Sequence, residues 1–139
     1  MKGKLAVIVA LGLSSILAFT GYGNDTKKTQ DQMANGKKLY NQWCMACHQA
    51  DGSGVPELNP PLAKTDWVTG DKSRLIKVLL NGLNETVTVN GEEYSNPMPA
   101  QNHLKDDQIA DILTYIRNSF GNKASAISSA EVKALRGKK

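Results

Sequence analysis

Apolar side chains recur at helical spacing in three stretches of the chain. Helices are predicted over residues 33–42, 71–82 and 106–119. The second has Asp71 as its N-cap and Gly82 as its stop signal. The third is the clearest, because its apolar residues recur every three or four positions and aspartates crowd its N-terminal end; Gly121 ends it.

A stretch between the second and third helices has the alternation of a β-strand instead. Polar and apolar residues alternate up to Asn90-Gly91, the dipeptide typical of a type I′ turn, so we expect a small hairpin at residues 86–94. Proline and other turn formers predict loops over residues 49–61 and 95–101. The predicted fold class is therefore all-α, with three to five helices, this hairpin, and long loops that need a structural reason.

The N-terminal stretch differs from the rest of the chain. Residues 1–23 run from basic through apolar to small side chains, the order of a secretory signal peptide. As a helix, the apolar run 5–19 would extend about 22 Å, short of the roughly 30 Å bilayer core. No clear cleavage motif follows it, so an uncleaved membrane anchor stays an alternative. Residues 24–33 are predicted to be a polar linker, residues 34–121 the folded domain and residues 122–139 a tail.

Removal of the signal peptide changes the charge of the chain. The full sequence has 17 basic and 13 acidic residues, a formal net charge of +4. Loss of Lys2 and Lys4 lowers the net charge to +2, and the remaining lysines are scattered. Composition therefore gives no basis for nucleic-acid binding.

The two cysteines carry the candidate chemistry. Cys44, Cys47 and His48 form a Cys-x-x-Cys-His motif, which is typical of covalent attachment of c-type haem. Thiols three residues apart at a helix end project to one side and can add to the two vinyl groups along one porphyrin edge, with His48 beneath the iron. Three alternatives stay open: a disulfide closing a very short loop, a redox dithiol, and a zinc site that would have to recruit the distant His103.

A haem iron bound by His48 has a sixth coordination position, and Met98 is the predicted ligand. Pro97 and Pro99 stiffen the loop on either side of Met98, and a thioether is a soft ligand that suits iron. His103 and an open or water-filled position are the alternatives.

Further positions connect this motif to a known family. These are Gly36 and Tyr40 in the first helix, Ile112 and Tyr115 in the last, Pro60, and Met98 followed by Pro99. With them, residues 34–121 resemble the class I, mitochondrial-type cytochromes c in their small bacterial form. They are also similar to the cytochrome c domains of periplasmic dehydrogenases and copper nitrite reductases. The resemblance implies the cytochrome c fold, in which helices surround one covalent haem c that completes a thin apolar core.

The resemblance also implies roles for individual residues. The Pro60 carbonyl would accept a hydrogen bond from Nδ1 of His48, and Gly36 would let the first and last helices cross closely. Trp67 and Tyr94 are expected to line the haem pocket, either by apolar packing or by bonding haem groups.

Two features depart from the family pattern. A small hydroxyl residue usually caps the last helix, but Lys105 stands there, so we expect Asp106 to take that role. The eighteen residues after Gly121 exceed the minimal domain. Ser128-x-x-Glu131 is a capping box that predicts one more short helix, but we expect this tail to fray.

Two protein ligands on the iron would leave no open site for substrate, which predicts an electron carrier and not an enzyme. The expected protein is a periplasmic monomer that passes one electron between a redox protein donor and acceptor through a low-spin haem. Lys37, Lys38 and Lys64 are candidates to border the haem edge and meet an acidic partner. One alternative is a dedicated subunit of a dehydrogenase or reductase, membrane-held if residues 1–23 are retained. The other is a haem sensor or weak peroxidase, if Met98 dissociates readily.

Overall fold

The structure is a computed structural model that describes residues 22–138, with the backbone alone for residues 22–26. The predicted signal peptide lies outside the described residues, apart from its last two positions. Six helices are described: α1 (Tyr22–Trp43), α2 (Met45–His48), α3 (Asp66–Thr69), α4 (Lys72–Asn81), α5 (Asp106–Arg117) and α6 (Ser129–Leu135). Two strands, β1 (Val87–Val89) and β2 (Glu92–Tyr94), pair antiparallel.

Local signals put α4 and the hairpin where the sequence predicts them. Oδ1 of Asp71 accepts a hydrogen bond from the Ser73 backbone N–H at 2.6 Å, and Gly82 ends α4 with a φ of +74°. Asn90 and Gly91 both have positive φ angles, 51° and 88°, as a type I′ turn requires. Both predictions are confirmed. The described residues form six helices instead of three to five because α2 and α3 are single turns, too short to show apolar periodicity.

The crossing of α1 and α5 forms the centre of the fold. A Cβ on Gly36 would collide with the Asp111 carbonyl group and come within 2.7 Å of the Cβ of Tyr115, so glycine is needed for this close approach. One turn later, the fully buried Tyr40 packs its ring 5.5 Å from that of Tyr115 and 5.2 Å from that of Phe120. The crossing thereby fixes the C-terminal end of α1, where the Cys-x-x-Cys-His motif begins.

The stretch 24–33 is helical, so the prediction of an irregular linker there is wrong. It forms the N-terminal part of α1. Its side chains are polar, but lysine and glutamine are good helix formers, and a helix nucleated by its packed half extends at little further cost. Nε2 of Gln32 also donates to the Ile127 carbonyl at 3.1 Å, which ties this part of α1 to the tail.

The tail packs against the domain, so the expectation that it frays is wrong as well. Ile127 and Val132 have no exposed surface. Oγ1 of Thr114 donates to the Ile127 carbonyl at 3.2 Å and accepts from the Ile127 N–H at 3.0 Å. The Ser128–Glu131 capping box is present, which confirms the predicted short helix as α6. The tail contains few apolar residues, and their pattern in the sequence does not indicate that the rest of the domain buries them.

Lys105, and not Asp106, is the N-cap of α5. A lysine side chain has no acceptor, but Oε1 of Gln108 accepts a hydrogen bond from the Lys105 backbone N–H at 3.0 Å. Asp106 is the first helical residue, and its Oδ1 lies 2.6 Å from Nε of Arg136. The predicted cap is therefore wrong, and the Asp106 carboxylate holds the end of the tail instead.

Candidate haem site

A mostly apolar cavity lies between the loop that follows α2 and the loop that follows the hairpin. It encloses about 810 Å³ of empty space, part of it open to solvent. Its apolar walls include Leu62, Val68, Leu75, Val78, Leu83, Val87 and Val89. Six of the seven predicted site residues also line it: Cys47, His48, Pro60, Trp67, Tyr94 and Met98. The fold thus brings two segments about fifty residues apart to one cavity.

His48 lies at the end of α2 and is almost fully buried. Its Nδ1 is 3.0 Å from the Pro60 carbonyl oxygen, the arrangement that the family resemblance implies. Burial lowers the pKa of His48 below its ordinary value, and the hydrogen bond to Pro60 offsets only part of this effect. The imidazole is therefore neutral at pH 7 with Nδ1 engaged, which leaves Nε2 as the nitrogen available to a metal.

Backbone hydrogen bonds continue the helical path through the cysteine motif. The Cys44 N–H donates to the Tyr40 carbonyl and the His48 N–H donates to the Cys44 carbonyl, both at 2.9 Å. Cys47 is exposed and lines the cavity, whereas Cys44 is half-buried and packs against the core. Burial, followed by the nearby Cys47, raises the pKa of the Cys44 thiol to about 12. Redox-active dithiols have a lowered thiol pKa, so the redox alternative loses support.

Met98 reaches the cavity from the opposite loop. It forms an antiparallel bridge with Leu83, in which the Leu83 N–H lies 2.9 Å from the Met98 carbonyl and the Met98 N–H lies 2.8 Å from the Leu83 carbonyl. The alternative ligand, His103, packs its ring edge-on against Trp43 with centroids 4.7 Å apart and does not line the cavity. Of the two side chains considered for the sixth position, the fold brings Met98 to the cavity that His48 lines.

Gly82, which the sequence marks only as a helix stop, also positions the Met98 loop. A Cβ on Gly82 would lie 2.6 Å from the Met98 carbonyl oxygen and 2.9 Å from the Ala100 nitrogen. The Gln101 N–H donates to the Leu79 carbonyl at 2.7 Å, so the loop is joined to the end of α4 on both sides of this contact. Sequence reasoning missed this second role of Gly82, because no local pattern indicates that a distant loop approaches the residue.

Trp67 and Tyr94 line the cavity with their polar atoms bound to protein groups. Nε1 of Trp67 donates to the Thr88 carbonyl at 2.9 Å, and the hydroxyl of Tyr94 donates to Oε2 of Glu92 at 2.9 Å. Both rings therefore present apolar surface. Of the two roles considered for them, this geometry favours apolar packing over bonding of haem groups.

The three lysines considered as a basic border of the haem edge do not line the cavity. Lys37 and Lys38 are exposed on α1, and none of the three lines the cavity. Lys64 packs against Gly121, and its backbone N–H donates to Oδ1 of Asn122 at 2.8 Å. The charged side chain that does line the cavity is acidic, that of Glu85.

The family model described as cytochrome c matches residues 33–120. The chain belongs to the cytochrome c family. Members of this family bind haem c covalently and transfer electrons. The mostly helical architecture with one small hairpin agrees with that fold and confirms the predicted fold class.

Similar proteins include one small cytochrome and much longer dehydrogenase subunits. Cytochrome c-552 of Thermus thermophilus is 37% identical over 115 residues, which cover 76% of this chain and 87% of that protein. The cytochrome c subunit of the quinone alcohol dehydrogenase of Gluconobacter oxydans is 34% identical over 104 residues, 73% of this chain but 22% of that subunit. The gluconate 2-dehydrogenase cytochrome c subunit of Pantoea cypripedii is 35% identical over 113 residues, 76% of this chain and 25% of that subunit.

The residues at the cavity fit a covalently bound haem. They supply one neutral buried imidazole, one thioether, the free thiol of Cys47 and apolar walls, and the free thiol of Cys44 lies three positions before Cys47 against the core. Within residues 22–138 no group of three or more histidine, cysteine, aspartate or glutamate side chains forms a metal site, so the zinc alternative has no support there. None of the helices in the described part of this cytochrome c is long and apolar enough to cross a membrane.

Proposed function

We propose that this cytochrome c is a one-electron carrier with a single haem c, attached through Cys44 and Cys47 and ligated by His48 and Met98. The observation that carries the proposal is that His48, at the end of α2, and Met98, in the loop after the hairpin, line one apolar cavity. When bound, the haem supplies the Fe(III)/Fe(II) couple. A thioether from Met98 would favour the reduced state relative to a second histidine.

The residues around the cavity would keep the same geometry in both oxidation states. Pro60 fixes the ring plane of His48, and the bridge between Leu83 and Met98 fixes the backbone of the second ligand. The valine and leucine walls give the site a mostly apolar surface. A rigid, mostly apolar site requires little reorganisation when one electron arrives or leaves, which suits a carrier better than a substrate-binding enzyme.

We further propose that the carrier works in the periplasm as a monomer, between a protein donor and a protein acceptor. The basic, apolar and small residues of positions 1–23 support export. A second candidate role, a dedicated subunit of one dehydrogenase, is favoured by a specific observation. Relatives with 34–35% identity are named as cytochrome c subunits of the alcohol and gluconate dehydrogenases.

The optical spectrum of the full chain, matured with haem-attachment machinery, tests the proposed ligation. We expect a low-spin spectrum and, in the oxidised protein, the weak near-infrared sulfur-to-iron band. Met98→Ala should abolish that band, and His103→Ala, the matched control, should leave it unchanged. Absence of the band in the oxidised wild type, or its persistence in Met98→Ala, would overturn the assignment. Ready carbon monoxide binding by the reduced wild type would overturn it too and favour a sensor or peroxidase.

A further inference from the structure

The charges of this cytochrome are segregated with respect to the cavity. Residues 39–63 and 78–104, which supply most of the cavity lining, contain no lysine or arginine. They carry five exposed carboxylates: Asp51, Glu57, Glu85, Glu92 and Glu93. The rest of residues 22–138 has fourteen basic and eight acidic residues. The two segments are thus locally negative in a chain whose net charge is positive.

The two segments meet at the cavity, which brings Glu57, Glu85 and Glu92 close to it. Nδ2 of Asn96 donates to Oδ1 of Asn59 at 3.0 Å, and both residues line the cavity. Glu57 stands two positions before Asn59, and Glu85 lines the cavity itself. Glu92 is bound to the hydroxyl of Tyr94 in the cavity wall. The carboxylates therefore lie on the loops and the hairpin that enclose the cavity.

Exposed apolar side chains stand close in sequence to cavity-lining residues, since Met45 is two positions before Cys47 and Leu58 directly precedes Asn59. Among the described residues the large exposed apolar side chains are Trp43, Met45 and Leu58, with 42%, 37% and 49% of their surface exposed. All three belong to segment 39–63, and His103 of the second segment packs against Trp43. Apolar side chains with charged groups around them are the usual anatomy of a protein interface.

We propose that this face, defined by Trp43, Met45, Leu58 and the surrounding carboxylates, is the docking surface for a redox partner protein with a basic surface. The partner's sign follows from charge complementarity, because opposite charges steer encounter and like charges oppose it. Cys47 is exposed within this face, so a haem bound to its Sγ comes within reach of the partner. The inference rests on the proposed electron-carrier function and specifies its partner.

Two small oxidants of opposite charge test the sign of this face. The reduced holoprotein gives one electron either to tris(1,10-phenanthroline)cobalt(III), a trivalent cation, or to ferricyanide, a trivalent anion. Cobalt(III) is thereby reduced to cobalt(II), or ferricyanide to ferrocyanide. No covalent bond forms or breaks and no proton is transferred. We expect the second-order rate constant with the cobalt complex to fall as ionic strength rises, and that with ferricyanide to rise. The positive net charge of the chain predicts the opposite pair of trends.

Substitutions locate the effect on the molecule. Glu85→Gln should slow oxidation by the cobalt complex about fourfold at 10 mM ionic strength and about twofold at 0.1 M. These factors assume a separation of about 10 Å from a trivalent reagent and Debye lengths of about 30 and 10 Å. Asp31→Asn on α1, the matched control, changes the net charge equally but should leave the rate nearly unchanged. Poly-L-lysine should compete with the cobalt complex, and poly-L-glutamate should not.

The outcomes separate this proposal from the proposed function. A cobalt rate that rises with ionic strength, or equal effects of Asp31→Asn and Glu85→Gln, would overturn the docking face. The carrier function would survive either result if the near-infrared band were present and electron transfer fast. Loss of the band with ready carbon monoxide binding would instead refute the carrier, whatever the salt dependence.

Discussion

Replacement of Gly82 by alanine should loosen Met98 without altering any ligand. An alanine at the φ of +74° and ψ of −174° of Gly82 costs about 1–3 kcal/mol in any protein. Here its Cβ would also stand 2.6 Å from the Met98 carbonyl oxygen, whereas carbon–oxygen contacts of this kind are normally about 3.3 Å or longer. The loop must therefore move by about 0.7 Å, which strains the two hydrogen bonds between Leu83 and Met98, each worth about 1 kcal/mol.

Gly91→Ala is a matched control for this substitution. Gly91 also has a positive φ, +88°, but a Cβ there would meet no atom within 4 Å. Both variants carry a positive-φ conformational cost, which is somewhat larger at Gly82 because of its ψ of −174°, and Gly82→Ala alone carries the collision. We expect total destabilisation of about 2–4 kcal/mol for Gly82→Ala and about 1–2 kcal/mol for Gly91→Ala. If dissociation of Met98 from the iron relieves the extra destabilisation of Gly82→Ala, the fraction of molecules with Met98 dissociated rises about 5- to 30-fold.

The assay combines the near-infrared band of the oxidised protein, carbon monoxide binding by the reduced protein, and thermal unfolding. Gly82→Ala should show a weaker band and measurable carbon monoxide binding at temperatures well below its unfolding midpoint. Gly91→Ala should keep the band of the wild type. Identical spectra for the two variants would show that Gly82 serves only as a helix stop, and would refute the reasoning.

Three further predictions concern stability. Gly36→Ala should destabilise the holoprotein by at least about 2 kcal/mol in denaturant unfolding, because the added methyl group collides with the α5 backbone; an unchanged midpoint would contradict the close crossing. Ile127→Ala should cost about 2–5 kcal/mol while the near-infrared band stays intact, whereas a frayed tail would show no effect. Hydrogen bonds from Ser128, together with Lys72, lower the pKa of the Glu131 carboxyl in the folded protein. The stabilisation by this carboxylate is therefore fully present above the unfolded-state pKa of about 4.3. It is lost as the pH falls through the lower folded-state pKa. The difference in melting temperature between wild type and Glu131→Gln should therefore be largest near neutral pH and shrink as the pH falls below about 4; a constant difference would argue against this carboxylate's contribution.

Short-range signals predicted much of this cytochrome correctly. The N-cap at Asp71, the turn at Asn90-Gly91 and the capping box of α6 were all readable, because each depends on backbone geometry within four residues. The Cys-x-x-Cys-His motif is readable for the same reason, since its spacing alone carries the attachment chemistry. The sequence by itself thus determined the cofactor class, the helical architecture and the candidate ligands.

Tertiary structure decided what surrounds those residues. The approach of Gly82 to Met98, the burial of Ile127 and the indole hydrogen bond of Trp67 join groups that are distant in sequence. The same is true of the acidic face, where loops before and after α4 bring their carboxylates together although the net charge of the chain is positive. Such contacts depend on where the packed core holds each segment, and a pattern confined to a few neighbouring residues does not encode that placement.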